Sequence, residues 1–344
     1  MSVNKNGAGM GTPGSEMLRN QPAARKRDMD TELIRLIASF AVIVAHMLGN
    51  VSNSALFING VCRFAVPVFV MTSGRYVLAR EPDLKKLMKK ALRLFIVMLC
   101  WSALFYFYYS RTTARPSQSF VAYLLAGPSH LWYIWAIITL YLMSPMMYVF
   151  CENASRSTYK YAMCFCFVAG TVITLMLRSE AFTVFSAVLE RSKLPNQLGF
   201  VFCFMYGNYC RRYGHGLSLA ASVVLCICAC TATGLSTLVL PENISLSLFS
   251  PTAIASAIGL HGIFSYRDYS RFKPAAGVVS ALAGCTLGIY LIHPMVEELA
   301  QMLTGYVIPS GGTVFLCLSS GVSFIICLAV VFVLKKIPLV KELA

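Results

Sequence analysis

The run Thr31-Glu32-Leu33-Ile34-Arg35-Leu36-Ile37-Ala38-Ser39-Phe40-Ala41-Val42-Ile43-Val44-Ala45-His46 decides the fold. It is apolar enough to lie in lipid, where a backbone satisfies its N–H and C=O groups only as a helix or within a closed barrel. The strict alternation of a barrel strand is missing, so the run predicts a transmembrane helix. His46 stands eleven positions after Arg35. At about 100° per residue they fall within roughly 20° of one face and about 16 Å apart along the axis. One helix face therefore carries a guanidinium at one end and an imidazole at the other, with Ser39 between them.

Composition extends that reading to the whole chain. Of 344 residues, 57% are hydrophobic and 12% charged, and mean hydropathy is +0.67. Soluble domains carry about a quarter charged residues, so an ordinary soluble globule is excluded. Apolar windows near 20 residues long give ten spans, roughly 31–50, 56–78, 92–110, 131–150, 160–177, 197–210, 216–238, 246–265, 275–298 and 312–334. The expected fold is an all-α integral membrane protein, a bundle of about ten transmembrane helices occupying residues 29–338. Residues 1–28, rich in Gly, Asn, Pro and Ser, are expected to be a disordered cytoplasmic tail, and residues 339–344 a second cytoplasmic tail. No cleavable signal precedes the first span, which is expected to act as an uncleaved anchor, and no soluble catalytic module is expected after the last.

Lys and Arg outnumber Asp and Glu by 29 to 14. Nucleic acid is not the implied partner, because the basic residues alternate with apolar spans in the manner of the positive-inside rule. With the N-terminus in the cytoplasm, 21 basic residues fall inside; only Arg111, Arg115, Arg178, Arg191 and Lys193 fall in outside loops. That bias places both termini in the cytoplasm. Most of the thirteen cysteines lie in apolar stretches without a Cys-x-x-Cys pair, and they read as small packing residues rather than a disulfide framework.

An ionisable side chain at mid-bilayer costs about 2.5–3.5 kcal/mol on insertion scales, so each one is a functional candidate. Helix direction puts His46, His130 and His293 at one depth on the outer side. A neutral imidazole can take a proton from a hydroxyl and return it. At the inner ends of the first three spans stand Arg35, Arg75, Lys89, Lys90 and Arg93, where Lys90 and Arg93 at i and i+3 can converge on one anion. Lys85 and Lys86 read as lipid-headgroup contacts. Arg35 has a blander alternative, snorkelling to headgroups beside Glu32. For Arg63 two readings stand side by side: stabilising an oxyanion, or pairing with Glu297 or Glu298. Pro67, Ser73 and Gly74 either let the second span bend or serve packing. Trp132, Tyr133, Trp135 and Tyr141 either line a sugar site or belong to an interfacial aromatic belt. A metal site made of His46, His130 and His293 is a weaker idea, and His215 and His261 receive no role.

At these residues the chain resembles the integral-membrane acyltransferase family three, inner-membrane enzymes that move acyl groups onto extracytoplasmic sugars. Four ordered segments carry the likeness. Arg35 with His46 is similar to the family's Arg-x10-His helix. Arg63-Phe64-Ala65-Val66-Pro67-Val68-Phe69-Val70-Met71-Thr72-Ser73-Gly74 is similar to its Arg-Phe-x-Val-Pro segment. His130-Leu131-Trp132-Tyr133 resembles its His-Leu-Trp motif, and Gly288-Ile289-Tyr290-Leu291-Ile292-His293-Pro294 its Gly-Ile-Tyr-Leu-Ile-His-Pro helix. The family's Arg-x-x-Arg appears as Lys90-x-x-Arg93, which keeps the charge and loses one planar fork. The usual proline after it is missing at Val97.

The resemblance implies a multi-pass protein of the bacterial plasma membrane that binds no resident cofactor and uses acetyl-CoA or another acyl-CoA as donor. The acceptor is a hydroxyl of an extracytoplasmic carbohydrate or related molecule. His46 and Arg63 are then the expected catalytic residues; Arg35, Arg75, Lys89, Lys90 and Arg93 bind the donor; His130, Trp132, Tyr133, Tyr290 and His293 line the acceptor side. The competing reading is a transporter or exporter of an envelope glycan precursor or small molecule without acyl chemistry. Coupled transport usually needs embedded carboxylates, and only Glu297 and Glu298 approach a span interior.

Overall fold

The computed structural model describes residues 29–49, 51–112, 118–173, 175, 194–265 and 273–338. Both expected tails, 1–28 and 339–344, lie outside the described residues, as do Arg115, Arg178, Arg191, Lys193, Arg267 and Arg271. Every regular element among the described residues is helical. In chain order these are α1 (Met29–Leu48), α2 (Asn53–Val61), α3 (Ala65–Val77), α4 (Leu84–Thr112), α5 (Phe120–Ala126), α6 (Trp132–Asn153) and α7 (Arg156–Phe167). Then follow α8 (Leu194–Tyr213), α9 (Leu219–Val239), α10 (Glu242–Ser245), α11 (Pro251–Ser265), α12 (Lys273–Ala283), α13 (Thr286–Gly305) and α14 (Thr313–Leu334).

Among the described residues, six helical stretches are long and apolar enough to cross a membrane: Met29–Leu48, Asn53–Val77, Leu84–Thr112, Phe120–Asn153, Leu219–Val239 and Thr313–Leu334. A seventh arises if α12 and α13, bent by 57° between them, count as one. The three other apolar windows correspond to less simple elements. The window at 160–177 falls on α7 and a π turn at Val168–Val172. The one at 197–210 falls on α8, whose last turn holds Arg211 and Arg212, and the one at 246–265 on α11, only 15 residues long. Large apolar side chains stand on outward faces, such as Met146 at 77% exposure and Ile325 at 67%, where lipid rather than water suits them.

The first helix is central. It packs against α2, α3, α11, α12, α13 and α14, with Ile34, Ala38, Ile43 and Leu48 fully or almost fully buried. Two hydrogen bonds tie its N-terminal half to α12 and the α12–α13 break: Ser280 Oγ donates to Glu32 Oε1 at 2.9 Å, and Arg35 Nη2 donates to Thr286 Oγ1 at 2.7 Å. A break frees backbone carbonyls that a continuous helix would use. Lys335, just past the end of α14, donates its Nζ to one of them, Gly284 O, at 2.7 Å.

Glycine sets a second close crossing. A Cβ at Gly74 of α3 would strike the Phe204 carbonyl of α8, and a Cβ at Gly207 of α8 would strike the Met71 carbonyl of α3. Small residues let membrane helices approach backbone to backbone and gain dispersion contacts that lipid cannot replace. Gly74 is thus a packing residue rather than a hinge, and the irregularity of the second span sits at a 3₁₀ turn, Cys62–Phe64, before Pro67. We expect Gly207→Val to destabilise the protein by about 1–3 kcal/mol, because the backbone it meets cannot move aside cheaply. Thermal unfolding in detergent would read this as a lowered midpoint; an unchanged midpoint would show that the crossing is slack.

Candidate active site

Between these helices lies one cavity of about 1410 Å³. Arg35 and His46 of α1 both line it, so the face read from the sequence is turned inward rather than to lipid. Its cationic end is built by Arg80, Lys86, Lys90, Arg93, Arg211, Arg212 and Lys335, against the carboxylates of Glu81, Asp83 and Glu152. Towards the other end stand His46, Arg63, His130, Trp132, Tyr133 and Tyr290. Nine basic and three acidic side chains therefore face one space. Such a lining concentrates polyanionic ligands at a surface that the rest of the bundle shields.

The cationic stripe on α4 follows helical spacing. Lys86, Lys90 and Arg93 recur at i, i+4 and i+7 and share one face. Lys89, grouped with them in the sequence, is turned about 100° away from Lys90 and is exposed outside the cavity lining. Lys86, read from the sequence as a lipid contact, faces the cavity and pairs with Asp83 at 3.0 Å. Arg75 also lies off the lining; it reaches Asp30 at 3.6 Å from the α1-facing side of α3. The cavity instead takes cations from elsewhere in the chain. Arg211 and Arg212 come from the end of α8, and Arg212 is held by Cys151 O at 2.8 Å and by Glu152 at 3.0 Å.

Three histidines, from α1, from α13 and from the 3₁₀ turn Ser129–Leu131 that leads into α6, meet at the opposite end. The His46 and His293 ring centroids are 4.9 Å apart, and His293 and His130 are 5.4 Å apart. His46 borders open space in the cavity, whereas His130 and His293 are 5% and 0% exposed. Proline chemistry fixes His293. Pro294 lacks the N–H that would bond to Tyr290 O four residues back, so that carbonyl is free. His293 Nδ1 lies 2.8 Å from it and, facing an acceptor, must carry the proton. The lone pair is left on Nε2, which is buried without a hydrogen-bond partner, as is His130 Nε2. The Tyr290 hydroxyl donates to the His130 carbonyl and fastens α13 to the start of α6. Tyr133, 5.9 Å from Tyr290 by ring centroid, completes the wall.

Arg63 occupies the short 3₁₀ turn between α2 and α3 and lines the cavity with its Nε buried and unpaired. Neither acidic partner suggested by the sequence meets it. Glu298 accepts the Tyr108 hydroxyl at 2.9 Å, and one buried oxygen of Glu297 has no partner. Both carboxylates sit on α13 beyond His293, with the Tyr108 contact drawing Glu298 to α4, and Arg63 is left with its guanidinium toward the cavity. Trp132 lines the cavity at 38% exposure, and Tyr141 lines it as well. Trp135 lies off it, its Nε1 donating to Leu125 O at 3.3 Å.

His46, His130 and His293 do not bring three ligand atoms close enough for one ion; among the described residues only Cys210, His215 and His261 do so. Sequence reasoning missed Lys335, Thr286, Arg80, Arg211 and Arg212 as parts of this cavity. The available signal for Lys335 and the α8 arginines was their place at span ends, which the positive-inside rule had already explained away. Thr286 carried no signal, since its contact with Arg35 depends on the helix break.

The profile of the acyltransferase family three, described as an acyltransferase domain, matches residues 30–332, and the chain belongs to that family. It is a multi-pass membrane acyltransferase. No curated protein and no solved structure matches the chain. For the site itself, we expect Pro294→Ala to keep the fold and slow acyl transfer roughly tenfold or more. The new N–H at 294 competes for Tyr290 O and releases the His293 ring from its fixed tautomer. An unchanged rate in purified protein with an unchanged melting midpoint would show that the tautomer is irrelevant.

Proposed function

We propose that this acyltransferase takes an acyl group, acetyl in the simplest case, from cytosolic acyl-CoA and delivers it across the bacterial plasma membrane. The acceptor is a hydroxyl of an extracytoplasmic carbohydrate or a related molecule. Both termini are then cytoplasmic, and the cationic end of the cavity opens to the cytosol. The observation that carries this reading is that a single cavity is lined by a phosphate-suited set of cations and by the accessible His46 imidazole.

In this scheme Lys90, Arg93, Lys335 and Arg35 hold the donor's phosphates, and the thin pantetheine arm reaches along α1. Lysine and arginine differ in use here: Arg93 offers a planar fork to phosphate oxygens, while Lys90 and Lys335 act as point charges. The thioester carbonyl arrives beside His46 and Arg63. His46 removes the proton from the acceptor hydroxyl as its oxygen attacks the carbonyl carbon. The negative charge that develops on the carbonyl oxygen is met by the Arg63 guanidinium. Collapse of the tetrahedral intermediate breaks the C–S bond, and the leaving thiolate takes back the proton from the His46 imidazolium. His293 and His130 act behind His46, their unsatisfied ring nitrogens available to orient its ring directly or through water. Trp132 and Tyr133 offer a flat apolar wall of the kind that sugar rings pack on.

Membranes carrying the protein should move radiolabel from acetyl-CoA to an envelope acceptor. His46→Ala should cut that transfer by about 10²-fold or more, the usual share of a general base. Transfer left intact in His46→Ala would overturn the catalytic assignment. Replacing Lys90 and Arg93 together by Met should raise the donor KM about tenfold while leaving the acceptor KM unchanged, since each lost phosphate contact weakens only the donor. A rise confined to the acceptor KM would contradict the placement of the donor.

A further inference from the structure

Away from the acyl-transfer cavity lies a cluster that the mechanism does not use. Cys210 stands in the last turn of α8, His261 near the end of α11, and His215 on the short loop between α8 and α9. Each offers one ligand atom, and these atoms all lie within 4.8 Å of one another. The local sequence is shaped to put the His215 ring there. Gly214 and Gly216 flank it with φ of +78° and +75°, the left-handed region that glycine enters without a steric penalty. A Cβ on Gly262 would press on the His215 ring and the Ser222 side chain, so the absence of one leaves the ring its space. The two imidazoles stack with centroids 5.6 Å apart and planes 18° apart.

Proton placement then favours a cation. His215 Nε2 lies 2.9 Å from Ile258 O and 3.1 Å from the Tyr206 hydroxyl; the carbonyl can only accept, so Nε2 carries the hydrogen and Nδ1 keeps a lone pair. That Nδ1 is buried without a hydrogen-bond partner, an arrangement that is costly unless something electrophilic meets it. A backbone carbonyl holding the other ring N–H is the usual way a protein fixes the tautomer of a metal-binding histidine. On His261, the Ser265 hydroxyl donates to the His261 carbonyl at 2.8 Å, and the Ser265 oxygen then faces His261 Nδ1 at 3.5 Å as an acceptor. This orientation leaves the lone pair of His261 on Nε2. Cys210 is 7% exposed, and its neighbour Arg75 is itself paired with Asp30 at 3.6 Å.

We infer that Cys210, His215 and His261 form a zinc site that ties the end of α8 to α11. One thiolate and two neutral imidazoles suit a borderline-soft ion of tetrahedral habit, with water or a fourth protein group completing the shell. Binding would displace the thiol proton to solvent, and the thiolate would offset part of the ion's charge beside Arg75. The clamp has a structural purpose. α8 packs chiefly on α3, and α11 on α9, with the Tyr206 and His261 rings 6.3 Å apart where α8 meets α11, so the ion would add a firm tie at a slight contact. Arg211 and Arg212, the next residues after Cys210, line the cationic end of the cavity, and their position would depend on the clamp.

The test uses the full chain purified in detergent. Elemental analysis after dialysis should find about one zinc per chain. The cobalt-substituted protein should show a thiolate-to-cobalt charge-transfer band together with intense ligand-field bands of a tetrahedral site. Cys210→Ser should abolish the charge-transfer band, and His261→Gln should weaken zinc retention roughly tenfold or more. Cys226→Ser with Cys230→Ser should leave the band and the zinc content unchanged, which separates this site from the other cysteines. Should the Cys210 variant fail to fold, zinc added to chelator-stripped wild-type protein should raise its melting midpoint. Wild-type protein that takes up no zinc, a charge-transfer band that survives Cys210→Ser, or a midpoint indifferent to added zinc would each overturn the inference.

Discussion

The Arg35 to Thr286 hydrogen bond, 2.7 Å long, joins residues 251 positions apart and fixes the cavity's geometry. A guanidinium inside a helical bundle cannot face lipid, and it needs acceptors that a regular helix does not offer. The break between α12 and α13 supplies one as a threonine hydroxyl, which in turn donates to Ala283 O at 3.0 Å. The same break exposes Gly284 O, which recruits Lys335. One irregularity in one helix thereby anchors two cations at the same end of the cavity. With α1 locked there, helical geometry alone carries His46 three turns further along the same wall.

At the far end the governing device is another irregularity. Pro294 denies α13 one backbone bond, and His293 takes the freed carbonyl. The bundle therefore uses two breaks on the same long element, a bend at 284–285 and a missing bond at 294. The first positions charge and the second sets a proton. Neither break would survive in lipid unsupported. Each is covered by side chains whose roles in packing and in chemistry cannot be separated, so substitutions at these places act on stability and rate together.

Much of this could be read from the chain. Arg35 and His46 were legible because helical periodicity converts spacing directly into direction, and the ordered motifs around Arg63, His130 and His293 were legible as family likeness. Periodicity gave less on α4: the spacing allowed 89-90-93 or 86-90-93 as the stripe, and only packing selects the second. Lys335, Thr286 and Arg212 were hidden, because their partners lie about 50 to 250 positions away and are brought near by a bend and by helix crossings. The span count was the least legible feature. Windows of apolar residues do not distinguish a straight crossing helix from a 15-residue helix such as α11 or from a π-turned segment such as 156–172. Cys210, His215 and His261 were likewise invisible, since their convergence depends on a loop turned by two glycines.

In the proposed reaction, donor phosphates and the reacting imidazole occupy two ends of one continuous space along α1. Cryo-electron microscopy of the protein with a non-reactive thioether analogue of acetyl-CoA tests it most directly. The expected result is phosphate density among Lys90, Arg93 and Lys335, with the analogue's sulfur beside His46. Density for the nucleotide at the histidine end, or an arm that leaves the bundle between helices without approaching His46, would contradict it.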